Sequence, residues 1–95
     1  MIDLSTPFRL HPAVRYRIID GEAVVVQQHE ARVMSLNETA TVMLGMMDGH
    51  RTLADILTSM QKQYAVAPEI LESDALRCIE QLLAEKVIDS VNPDH

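Results

Sequence analysis

One cysteine, no tryptophan, three glycines and few cations: these shortages bound the 95-residue chain before any motif is read. The single cysteine, Cys78, cannot close an internal disulfide, which fits a reducing compartment. No stretch approaches the roughly 20 apolar residues that a spanning helix needs. No apolar run follows a basic N-terminal segment in the manner of a signal peptide. A soluble cytoplasmic protein, with no membrane partner, is therefore the expectation. The three glycines stand at turns, which excludes a Gly-rich phosphate loop. Aromatic residues make up only 3%, so the core must be filled by Val, Ile, Leu, Ala and the six Met. Eight Lys and Arg stand against fourteen Asp and Glu, a formal net charge of −6. Nucleic-acid affinity rests largely on cations that neutralise phosphates, so this balance weighs against a nucleic-acid partner.

What is present is globular. Apolar residues reach 47%, and the length suits one domain with a limited core. Residues 1 to 12, "MIDLSTPFRLHP", hold two prolines and read as an extended arm, followed by a domain over 13 to 91. "VRYRII", 14 to 19, alternates Val14, Tyr16 and Ile18 with Arg15 and Arg17, the pattern of a half-buried strand. Asp20-Gly21 is a strong hairpin turn. "EAVVVQQ", 22 to 28, reads as its partner strand. His29-Glu30 makes a second turn, and "ARVMSL", 31 to 36, a third strand. These form a three-stranded antiparallel meander.

Three helices follow. Asn37 is placed to cap the first, with Glu38 in its first turn, and Gly49 to end it after residue 48. That helix is apolar nearly all round and should be the most buried element. Thr52, with Asp55 three residues on, resembles a capping box for the second helix. Leu53, Ile56, Leu57, Met60 and Tyr64 form its apolar stripe. Pro68 sits at the start of the third helix, 69 to 86. Its apolar face has two edges, Leu71, Ala75, Cys78 and Leu82 against Leu76, Ile79 and Leu83. They spread over about 160° on a helical wheel, more than one neighbour can cover. "VIDSV", 87 to 91, adds a short strand, and the tail 92 to 95 should fray. Segregated strands and helices make an α+β fold. A three-stranded antiparallel sheet followed by three helices has the layout of a winged helix-turn-helix.

Chemistry is sparse. His11, His29, His50 and His95 are scattered over loops and termini without metal-ligand spacing. Cys78 lies on an apolar face and reads as a small hydrophobe. There is no catalytic pair, no metal site and no cofactor motif. The chain reads as a binding module, not an enzyme.

The middle of the chain resembles a known family. Leu36-Asn37-Glu38-Thr39-Ala40, then Leu44, Asp48-Gly49, Arg51-Thr52-Leu53, Ile56 and Leu57 are similar to the PqqD pattern. "HPAVRYRIIDGEAVVV" resembles the opening hairpin of that family, and "SDALRCIEQLLAEKVID" its last helix. The likeness runs over roughly residues 9 to 90. Two departures stand out. An aromatic common near the end of the third strand is replaced by Val33-Met34-Ser35, and a Gly common after the last helix by Glu85-Lys86-Val87. The resemblance implies a winged helix-turn-helix of the RiPP recognition element type. Such a protein binds the leader of a ribosomally made precursor peptide and presents it to a modifying enzyme. In pyrroloquinoline quinone biosynthesis that implies a radical SAM enzyme as partner; related proteins serve lasso peptide and other pathways.

The implied mode lays the leader as a strand on the third sheet strand, against the last helix. Strand addition needs an exposed edge, which Ala31, Arg32, Val33, Met34 and Ser35 would supply. Leu76, Ile79 and Leu83 would form pockets for alternate side chains, and Arg32, Arg77 and Lys86 would meet acidic leader residues. The competing readings are a winged-helix DNA-binding regulator and a domain that mainly homodimerises through the same apolar edge. Against the first, Lys62 is the only cation between residues 53 and 64.

Overall fold

The computed structural model describes residues 2 to 91; the tail expected to fray, with His95, lies outside the described residues. Six strands and three helices follow in the order β1 (Pro7–Leu10), β2 (Val14–Ile19), β3 (Glu22–Gln27), β4 (Arg32–Ser35), α1 (Glu38–Gly45), β5 (Asp48–Thr52), α2 (Leu53–Gln63), α3 (Pro68–Ala84) and β6 (Ile88–Ser90). The fold is α+β, with two antiparallel three-stranded sheets ordered β2-β3-β4 and β5-β1-β6.

The β2-β3-β4 meander follows from its turn chemistry and alternation. Asp20 and Gly21 both take positive φ, 52° and 81°, as a two-residue hairpin turn requires. The register Val14↔Gln27 through Ile19↔Glu22 puts Val14, Ala23 and Val25 on the covered face, where all three are buried. The second turn takes two residues more than expected, because β3 stops at Gln27 and both Gln28 and Ala31 join it. Ala31 adopts φ 51° within it, so the third strand begins at Arg32 rather than at Ala31.

The second sheet departs from the expected single sheet. Pro7–Leu10, within the segment read as an arm, forms its central strand and carries the buried Phe8 into the core. β5 and β6 flank it, with Arg9 opposite both Asp48 and Asp89. β5 also corrects the first helix, which ends at Gly45 and not at 48. Gly49 does take φ 86°, but inside this strand, where Asp48 Oδ1 accepts the amides of His50 and Arg51. Those two bonds hold the Asp48 carboxyl below its ordinary pKa, Arg51 contributing most.

The helix starts match their sequence signals. Asn37 accepts the Ala40 amide, and Thr52 and Asp55 form a reciprocal capping box. Pro68 opens α3 in its first turn. α3 closes at Ala84 in a Schellman arrangement. The Lys86 amide donates to Leu83 and the Val87 amide to Leu82, with Lys86 at φ 60°. A lysine thus occupies the left-handed position that glycine commonly takes. The core gathers Phe8, Val25, Met43, Leu53, Ile56, Met60, Ile79, Leu82 and Ile88, all almost fully enclosed. Among the described residues, no helix is long and apolar enough to cross a membrane.

Candidate functional site

β4 is an edge. Its inner side pairs with β3 through Val24↔Ser35, Val25↔Met34, Val26↔Val33 and Gln27↔Arg32. In an antiparallel ladder, alternate residues direct both backbone groups at one neighbour. The Leu36 amide donates to the Ala23 carbonyl, so Leu36, Met34 and Arg32 face β3. Val33 and Ser35 therefore direct N–H and C=O outward, and no other strand pairs with them among the described residues. Where the ladder stops, the Thr41 hydroxyl of α1 fills in. It accepts the buried Ala23 amide at 2.8 Å and lies 3.4 Å from the Leu36 carbonyl. The open edge is thus backed by a helix whose side chain completes the last rung.

Beside this edge runs a groove of about 490 Å³, within the range of ligand pockets. Met34, Ser35 and Leu36 form one wall, and Leu71, Ala75, Cys78 and Leu82 of α3 the other. Met43 and Met60 line it between them, and Tyr64 and Val66 contribute from the α2–α3 connection. Asp74, Arg77 and Gln81 supply polar groups on the α3 side. The small side chains of Ala75 and Cys78 leave space there, while unbranched methionines adapt to different shapes.

At one end, β4 and α3 are tied together. Arg32 pairs with Glu85 and stands 3.8 Å from Glu30. The buried Gln27 side chain donates from Nε2 to the carbonyls of Glu85 at 2.9 Å and Lys86 at 3.2 Å. Neither Arg32 nor Glu85 lines the groove.

The residues named from the sequence divide accordingly. Met34, Ser35 and Arg77 line the groove. Val33 lies on the open edge with its side chain 68% exposed on the far face of the sheet. Ala31 stands in the turn before the strand. Ile79 is fully buried in the core and offers no pocket surface, while Leu76 and Leu83 pack partly buried against the core, away from the groove. The groove uses the opposite edge of α3. Arg32 pairs with Glu85, Arg77 lies 3.7 Å from Asp74, and Lys86 closes the α3 terminus through its backbone amide. Reasoning from sequence missed Met43, Met60, Tyr64 and the Leu71 edge. The spacing of Ala75 and Cys78, small residues amid leucines, was the available signal.

Burial pushes the Cys78 thiol above its ordinary pKa, so it stays protonated and acts as an apolar wall group. The fold brings two of the scattered histidines together, His11 and His29, with rings 6.4 Å apart edge to face. Among the described residues, no three potential metal ligands cluster.

The same fold occurs in solved proteins. The structure of TbiB1 in complex with the TbiA(beta) leader peptide matches with a TM-score of 0.79 at 16% identity, covering 85% of this chain and 94% of that one. Lasso peptide synthetase B1 complexed with the leader peptide gives 0.77 at 21% identity, covering 86% and 96%. The heterocyclase TruD gives 0.65 at 16% identity, covering 95% of this chain and 12% of that much longer one. At these identities the likeness is one of fold. No curated protein sequence matches. The family model described as coenzyme PQQ synthesis protein D (PqqD) matches residues 22 to 88.

Proposed function

The chain belongs to the PqqD family, and from that premise we propose that it is a non-catalytic peptide-binding protein. It takes the leader of a ribosomally made precursor peptide and presents it to a modifying enzyme, a radical SAM enzyme or another peptide-modifying partner. The observation that carries this reading is the juxtaposition of the open β4 edge with the groove along α3. A leader strand laid on Val33 and Ser35 gains backbone hydrogen bonds worth about 0.5–1.5 kcal/mol each. One face of such a strand then meets Met34, Tyr64, Val66 and Cys78, over a floor of buried Met43 and Met60. Full burial of an apolar leader side chain there contributes about 1.5–3 kcal/mol. The combination suits strand addition with side-chain pockets. Two solved proteins of this fold hold leader peptides, which supports the same role here.

The finer architectural reading is a winged helix-turn-helix, with the β2-β3 hairpin as the wing beside the three helices. Its use here is for peptide rather than DNA. Lys62 is the sole cation on α2, and Arg77 on α3 stands beside Asp74. The pathway follows from the leader encoded beside the gene, in pyrroloquinoline quinone or related peptide biosynthesis.

Titration of that synthetic leader into isotope-labelled protein tests the proposal. Amides of residues 31 to 36 and 74 to 84 should shift together. A leader that binds with no shift in either segment, or does not bind at all, sinks it.

A further inference from the structure

The groove accounts for one side of the β2-β3-β4 sheet and leaves the other unexplained. A sheet with one solvated face alternates apolar and polar residues. β3 reads Glu-Ala-Val-Val-Val-Gln and breaks that rule. Ala23 and Val25 fill the core, so Val24 and Val26 point away from it. Across the sheet, Arg15, Val26 and Val33 fall in one row, and Arg17, Val24 and Ser35 in the next. Val26 is 39% exposed, Val33 68% and Ile19, on the same face, 55%. The result is a strip of apolar side chains with two arginines along β2 and one acid, Glu22, at its hairpin end.

Those arginines have no acidic partner among the described residues. Arg15 turns one nitrogen back onto the carbonyls of Pro12 and Val14, while Arg17 makes no side-chain hydrogen bond. In a chain of net charge −6, two such arginines beside exposed valines form a local reversal of sign. We propose that this outward face docks the peptide-modifying enzyme, through a surface on that enzyme with an apolar centre and an acidic rim. The inference rests on the leader-binding reading above.

Charge complementarity selects this occupant. A second copy placed face to face would gather four arginines against only two Glu22 carboxylates. Size then links docking to the leader. Three strands about 4.8 Å apart, four residues long, present roughly 200 Å², well below the roughly 800 Å² per partner of a standard interface. A leader strand on β4 continues the same sheet, and its outward side chains enlarge the face. The enzyme therefore meets a surface that is complete only with leader bound. Reciprocity requires that enzyme and leader each tighten the other's binding by the same factor.

Calorimetry tests this with the purified peptide-modifying enzyme and the synthetic precursor from the same gene cluster. Leader should tighten enzyme binding at least tenfold. Arg17→Glu should weaken binding of the enzyme to the leader complex at least tenfold, and Val26→Thr, which keeps the β-branch, about fivefold. Both variants should hold leader affinity within twofold of wild type. Unchanged enzyme affinity in both variants, with leader still bound, overturns the docking face but not the leader site. Wild type that binds no leader overturns the reading beneath it. Self-association that Val26→Thr abolishes assigns the face to a second copy and also overturns the proposal.

Discussion

Ser35→Pro separates the edge of the sheet from its ladder. The Ser35 amide faces away from β3, so proline there deletes no bond within the protein. Edge strands accept proline where the N–H faces solvent, and Met34 before it is already extended, as the residue preceding proline must be. The fold should lose no more than about 1 kcal/mol, roughly 4–8 °C in Tm for a domain of this size. Leader binding should suffer far more. It loses one backbone bond, about 0.5–1.5 kcal/mol, and strands a leader carbonyl at a further 1–3 kcal/mol or so. About 1.5–4.5 kcal/mol in all corresponds to roughly 10- to 1,600-fold in Kd. Met34→Pro is the control. Its amide faces Val25 inside the ladder, so the same change one residue earlier should cost the fold about 2–4 kcal/mol. Fluorescence anisotropy with labelled leader and thermal melts read both quantities. Ser35→Pro that binds leader within threefold of wild type, or that melts as low as Met34→Pro, refutes the assignment of the open edge.

Other outcomes follow from the same geometry. Thr41→Val should destabilise the protein by about 1–3 kcal/mol in urea melts, because the buried Ala23 amide loses its acceptor. Lys86→Gly should stabilise it by about 1 kcal/mol, relieving a left-handed lysine without altering the α3 terminus; a lowered Tm would contradict this. Cys78 should alkylate more slowly than a free cysteine, faster as pH rises, and slower still under saturating leader, as followed by mass spectrometry. Leader that gives no protection would place it elsewhere. The depressed pKa of Asp48 contributes stability that is present above its unfolded value, about 3.9, and lost as pH falls through the lower folded value. The stability gap between wild type and Asp48→Asn, measured by denaturant titration, should therefore close in acid.

Local signals carried most of the elements. Asp20-Gly21, Asn37, Thr52 with Asp55, and Pro68 each act within one turn of chain, and each stands where its chemistry placed it. The second sheet was hidden because its pairing is distant. "DGHRT" has no alternation of its own and becomes a strand only because Pro7–Leu10 lies beside it. The site was half legible. Periodicity showed that α3 has more apolar surface than one neighbour can cover, but not which edge the core would claim. The core took Ile79 together with Leu71, Ala75 and Leu82, whose outer side with Cys78 lines the groove, and left Leu76 and Leu83 only partly buried. That choice depends on where β4 and α1 sit, which no local pattern encodes.

The central place of β1 has a consequence for the order of folding. β1 pairs with β5 across some forty residues and with β6 across about eighty. Hairpin pairing in β2-β3-β4 and the capped helices close short loops and can form within microseconds. Contacts between distant segments must first offset the entropy of closing a long loop, so they form late. The seam between the first and last strands is thus the final step, and it follows α3 directly in the chain. β6 runs on from α3, so closing the seam also anchors the helix that forms one wall of the groove. Recognition competence and completion of folding then arrive together, an order that pulse-labelled hydrogen exchange would display as late protection at Phe8 to Leu10.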